Sequence, residues 1–218
     1  MPAGQRPDAV IFDMDGVLVD SEPLGMEAMR RVMARHGVAY TEADNNEFLG
    51  RTTPETCRVL KARHRLDADE ADLARHYVEI LLELIRQQPR PMPGIPDVLV
   101  KLEVAGYRLA LASSADPEVI TANTRALEIA HFFEIAVSGT EVAQGKPAPD
   151  IFLETARRLR LAPAQCLVVE DSRNGLLAAK AAGMTCAVVP CASTRHHDFG
   201  EADHRLGALP ELLILLSP

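Results

Sequence analysis

Two aspartates close an apolar run near the start of the chain, in Val10-Ile11-Phe12-Asp13-Met14-Asp15-Gly16. If the strand ending at Asp13 is buried, that carboxylate must face water, a cation or a substrate, because an unpaired buried charge is costly. Three further stretches carry groups that would suit the same site. They are Ser113-Ser114 after Leu111-Ala112, Lys146 between Gly145 and Pro147, and Glu170-Asp171 after Val168-Val169. Carboxylates serve as nucleophiles or as general acids and bases. A lysine and a hydroxyl suit the non-bridging oxygens of a phosphate.

Charge arithmetic narrows what such a pocket would hold. Asp13, Asp15, Glu170 and Asp171 against Lys146 leave about −3 if all are ionised. At an effective dielectric of about 20, two like charges ~4 Å apart cost about 4 kcal/mol. That burden points to a divalent cation. With oxygen ligands and no His or Cys among them, the set favours Mg²⁺ over zinc.

These residues meet only if the elements carrying them end at one edge. Strand candidates lie at Ala9–Asp13, Tyr107–Ser113, Glu134–Ser138, Cys166–Glu170 and Thr185–Val189. Helical patterns lie at Ile95–Ala105, Pro117–Leu127, Pro149–Leu159, Asn174–Ala182 and Ala208–Leu215. The alternation predicts an α/β fold, a Rossmann-like doubly wound parallel sheet with helices on its faces. In such sheets ligands bind at the carboxyl ends of the strands, where Asp13, Ser113 and Glu170-Asp171 all fall.

The segment from Ser21 to about Arg90 breaks the alternation. It is too long for an ordinary loop. Amphipathic patterns at Leu24–His36, Pro54–Arg63 and Ala68–Gln87 predict an inserted all-α domain, the last with Leu73, Tyr77, Ile80, Leu81 and Leu84 at helical spacing. The expected division is a core of residues 1–19 and 91–218 and a helical cap of residues 20–90. Asp20 marks the exit into the insertion.

Bulk properties exclude several classes of function. A formal net charge of −8 over 218 residues argues against nucleic acid or an anionic membrane as partner. No run approaches the ~18 apolar residues of a spanning helix and no signal peptide is evident, so the expected location is the cytoplasm. The four cysteines, Cys57, Cys166, Cys186 and Cys191, form no CxxC pair and read as reduced, mostly buried thiols. Oligomeric state is not legible.

Four stretches, DMDGVLVDSEP, LASSAD, GKPAPDIF and VVEDSRNGLLAAKAAGM, resemble in order and spacing the signature motifs of the haloacid dehalogenase-like superfamily, in the branch with a helical cap after the first motif. The resemblance spans Val10 to about Pro190. It implies that Asp13 is a nucleophile that becomes an aspartyl phosphate and that Asp15 is its acid and base. It implies that Ser113 and Lys146, with Ser114 beside them, hold the phosphoryl group. Asp13, the carbonyl of Asp15, and Asp171 would ligate Mg²⁺, with Glu170 ligating directly or through water. Asp15 favours phosphoryl transfer, because a halide leaving group needs no proton. The implied activity is a phosphatase on a small phosphorylated metabolite such as a sugar phosphate. The alternative is a β-phosphoglucomutase-like enzyme, but that group carries a cap histidine at the position Gly25 holds here. A phosphoacceptor signalling module shares the acidic pair, the Ser and the Lys, yet lacks the helical insertion and the second acid.

Each residue also has a bland alternative. Asp-x-Asp-Gly is ordinary turn chemistry, Ser113 or more readily Ser114 could cap the next helix, and Lys146 could be a solvated side chain. Asp171-Ser172 suits an N-cap, which is compatible with metal binding. Gly50-Arg51, just before the helix start at Thr52 or Thr53, are the candidates for substrate selection.

Overall fold

Four consecutive side chains, Ala9, Val10, Ile11 and Phe12, are fully buried, as expected of a parallel strand covered on both faces. They form β1 (Ala9–Phe12), which pairs with β2 (Arg108–Ser113) on one side and β4 (Cys166–Glu170) on the other. The computed structural model describes residues 6–48 and 52–217. With β3 (Ile135–Ser138), β5 (Thr185–Val188) and β6 (His204–Arg205), the strands form a parallel sheet of order β3-β2-β1-β4-β5-β6. The chain runs outward from β1 in one direction and then returns to run outward in the other. That reversal puts a crevice at the carboxyl end of β1.

Successive residues of β1 face opposite sides of the sheet. Ala9 and Ile11 share a core with Ala110, Ala112 and Val168, covered by α7 (Asp150–Leu159) and α8 (Arg173–Ala181). Phe12, on the alternate register, meets Phe133 edge-on at 6.4 Å between ring centres. The remaining helices of this part are α5 (Asp97–Val104), α6 (Pro117–Ala126) and the short α9 (Glu211–Leu215).

The chain divides into two compact units, one of Met1–Asp20 with Arg90–Pro218 and one of Ser21–Pro89. The second contains α1 (Glu22–Ala34), α2 (Glu42–Phe48), α3 (Thr53–His64) and α4 (Glu70–Gln87). α4 packs against both α1 and α3. Its buried side chains are Leu73, Ile80, Leu84 and Ile85, while Tyr77 and Leu81 are half-buried. A capping box starts α3: the Thr52 hydroxyl accepts from the Glu55 amide, and the Glu55 carboxylate accepts from the Thr52 amide at 3.1 Å.

The two crossings between the units are hydrogen-bonded to each other. The Asp20 amide donates to the Arg90 carbonyl at 2.9 Å, the Met92 amide to Leu18 at 3.0 Å, and the Arg90 guanidinium to the Asp20 carboxylate at 3.0 Å. Among the described residues no helix is long and apolar enough to cross a membrane.

Candidate active site

β1 ends at Phe12, so Asp13 is the first residue beyond it, held in line by its amide, which donates to Val169 at 2.9 Å. Met14 then turns the chain: its carbonyl accepts from the amides of Leu18 at 2.8 Å and Val19 at 3.0 Å. Gly16 makes this turn possible. Its φ of +78° is left-handed, and a Cβ there would overlap the Asp171 carboxylate. The turn keeps Asp15 half-exposed immediately beyond the buried Asp13. The glycine thus lets two acidic segments approach each other.

Lys146 ties the site together. Its ammonium donates to Asp13 Oδ1 at 2.5 Å, to Glu170 Oε1 at 2.6 Å and to the Ala112 carbonyl at 3.4 Å. It stands 5.1 Å from the centre of the Phe152 ring. Its side chain is 7% exposed, which rules out a solvated lysine. Burial alone would lower its pKa; Asp13 and Glu170 overcome that and hold the ammonium above its ordinary range.

Glu170 is the most constrained acid. One oxygen accepts from Lys146; the other accepts from the amides of Asp171 and Ser172, both at 3.0 Å, and from the Ser172 hydroxyl at 2.9 Å. Ser172 is also the N-cap of α8, accepting from the Gly175 amide at 3.1 Å. The carboxylate therefore sits at a helix N-terminus, where the dipole favours it. A Cβ on Gly175 would overlap it.

Asp13, Glu170 and Asp171 each bring an oxygen within 4.8 Å of the others, all three residues being buried. Burial pushes the Asp13 carboxyl up to about 7, against the pull of Lys146. Burial, then Glu170 and Asp13, push Asp171 up to about 10. One ammonium does not offset three buried carboxylates. The unmet charge and the all-oxygen donor set fit a hard divalent cation such as Mg²⁺. No histidine joins the cluster among the described residues.

Ser113 is buried at the carboxyl end of β2, next to β1, and its hydroxyl accepts from the Ala115 amide at 3.1 Å. Ser138, opposite it on β3, donates to the Ala115 carbonyl at 2.7 Å and so pins that turn. Ser114 is exposed, and it does not cap α6: Asp116 is the N-cap. The reason is that Pro117 fixes the first helical position, which leaves the residue before it extended. Gly50 and Arg51 lie outside the described residues.

Sequence reasoning missed Cys191 and Thr194. Both hydrogen-bond Asp171 Oδ2, the thiol at 3.2 Å and the hydroxyl at 3.1 Å. They occupy a loop after β5 that carries no motif, so nothing local announces them. The other cysteines, Cys57, Cys166 and Cys186, are buried.

Comparison with known proteins shows what the chain resembles. The chain is 36% identical to protein CbbY of Rhodobacter capsulatus over 222 residues, spanning 94% of this chain and 98% of that one. It is 34% identical to a phosphorylated carbohydrates phosphatase of Thermotoga maritima over 181 residues, 81% of this chain and 82% of that protein. The crystal structure of a mutant CbbY from Rhodobacter sphaeroides in complex with xylulose-(1,5)bisphosphate superposes with a TM-score of 0.85 at 31% identity, over 94% of this chain and 96% of that chain. The haloacid dehalogenase-like hydrolase family matches residues 10–189. A parallel sheet with β1 at its centre, four ordered motifs gathered at one edge, and a match over most of the sequence lead to one conclusion: the chain belongs to the haloacid dehalogenase-like hydrolases.

Proposed function

We propose that this chain is a phosphatase that hydrolyses a small phosphate monoester, a sugar phosphate or similar metabolite, through an aspartyl phosphate at Asp13. The observation that carries the reading is Lys146, buried between Asp13 and Glu170 with Asp171 completing the acidic cluster. The relatives named as phosphatases of phosphorylated carbohydrates support the substrate class.

Asp13 attacks phosphorus, forming an Asp13 oxygen–phosphorus bond as the bond to the leaving oxygen breaks. Asp15 gives its proton to that oxygen, then takes a proton from the water that attacks the aspartyl phosphate. Release of inorganic phosphate regenerates both acids. Lys146 and the Ser113–Ala115 turn hold the transferring phosphoryl oxygens, and Lys146 neutralises charge as it develops. Asp13, Asp171 and the Asp15 carbonyl would hold Mg²⁺, which when bound offsets the carboxylate cluster against an anionic substrate. Glu170, with both oxygens already engaged, acts first as the anchor of Lys146.

The helical unit, Ser21–Pro89, is assigned the choice of leaving group, with Gly50 and Arg51 as its specificity residues. Position 25 supports hydrolysis over mutase activity. It is a glycine, and a Cβ there would stand 3.1 Å from the Tyr77 hydroxyl, so any larger side chain requires Tyr77 to move.

A panel of phosphorylated metabolites with Mg²⁺, run on wild-type protein and on Asp13→Asn, tests the proposal. Mg²⁺-dependent release of phosphate by the wild type alone is expected, with at least a 100-fold loss in the variant, as for removal of a nucleophile. Equal turnover by both, or none on any monoester, would sink it.

A further inference from the structure

We infer that the Cys191–Thr194 loop is a positioning device for the metal-binding carboxylate, with Thr194 as its principal contact. The inference rests on the proposed Mg²⁺ site and deepens it.

Asp171 lies just past the end of β4, and nothing in its own backbone decides which way its carboxylate turns. Three neighbours decide it. The Thr194 hydroxyl donates to Oδ2 at 3.1 Å and the Cys191 thiol donates to the same oxygen at 3.2 Å. On another side Gly16 approaches so closely that a Cβ would overlap Oδ2, and that Cβ would also stand 3.2 Å from the Cys191 sulfur. The hydrogen bonds to the Asp171 side chain thus converge on Oδ2, which would leave Oδ1 to ligate a cation.

Two side chains supply the donors to Oδ2. A threonine hydroxyl has one proton and two acceptor lone pairs. Thr194 gives that proton to Asp171 and accepts from the Cys191 amide at 3.1 Å. The thiol supplies the second donor. A carboxylate ligand fixed by such outer contacts loses less freedom when it binds metal.

The loop is itself fixed. Its amides at Thr194 and Arg195 both donate to the Cys191 carbonyl, at 3.3 Å and 3.0 Å, closing a tight turn. The preceding strand is registered on Glu170, whose carbonyl accepts from the Val189 amide at 2.7 Å. The contact to Asp171 is therefore set by the sheet, through β4 and β5, and not by a mobile side chain reaching in from solvent.

The test is Mn²⁺ binding to the metal-free full-length chain, followed by electron paramagnetic resonance or calorimetry, for wild type, Thr194→Val, Thr194→Ser and Asp171→Asn. Thr194→Val should bind about 10-fold more weakly or worse, and Thr194→Ser, which keeps the hydroxyl, should restore the affinity. In turnover, Thr194→Val should need more Mg²⁺ but recover kcat when saturated. Melting of the metal-free proteins reports whether the variants fold. If Thr194→Val folds poorly, Cys191→Ala removes the other donor to the same oxygen and should also weaken binding. Wild-type affinity in Thr194→Val or Cys191→Ala, while Asp171→Asn fails to bind, overturns the positioning role alone. Equal binding by wild type and Asp171→Asn overturns the metal site itself, and this role with it.

Discussion

At the scale of residues, the site is governed by three buried acids and one base. An acid whose pKa rises on folding keeps its proton after the unfolded chain has lost its own. Asp13 and Asp171 both do so, moving from an ordinary 3.8 to about 7 and about 10. Their contribution to metal-free stability is therefore fullest below about 4 and is lost as pH climbs through those raised values. Mg²⁺ needs both carboxylates ionised and competes with their protons. Adding Mg²⁺ should raise the melting temperature little at about pH 5 and by several degrees at about pH 8. Thermal melts with and without the ion at both pH values check this, and equal increments would contradict it. Asp13, Lys146, Glu170 and Asp171 were legible in the sequence because each follows an apolar strand or sits in a dense motif. Thr194 and Cys191 were not, because their place beside Asp171 depends on strand pairing rather than on neighbouring residues.

At the scale of elements, α8 couples fold to chemistry. Its first turn receives the Glu170 carboxylate, which in turn holds Lys146, and Gly175 leaves the room for it. Gly183, just after the same helix, has a φ of +73° but nothing within 4 Å of a would-be Cβ. Gly175→Ala should therefore cost roughly 3 kcal/mol by overpacking and also lower activity. Gly183→Ala should cost only about 1 kcal/mol, from left-handed backbone, and leave turnover intact. Urea unfolding with parallel phosphatase assays separates the two. The five apolar strands were readable as elements. β6 was not, since it is two polar residues, His204-Arg205, that pair with the end of β5. α2 also escaped notice: Glu42–Phe48 is polar along its length and buries only Phe48, so it has no apolar stripe to show.

At the scale of the whole molecule, the helical unit is spliced into the sheet unit at one point. The crossings at Asp20 and Arg90 hydrogen-bond to each other through their backbones, while their exposed ion pair adds little. Joining Asp20 to Arg90 by a short Gly-Ser linker, with Ser21–Pro89 removed, should leave a sheet unit that melts cooperatively and still binds Mn²⁺. Its discrimination among phosphate monoesters should flatten. Circular dichroism and the metabolite panel check both halves; loss of folding would mean that the core depends on the insertion. In the sequence, a long stretch without strand pattern stands out because it interrupts a regular alternation. β1, fully buried and paired on both sides, leads directly into Asp13, the proposed nucleophile. Strands placed so are among the last to open when a protein fluctuates. The proposed nucleophile thus rides on a strand expected to open late, so transient loosening of outer loops would leave its aim undisturbed.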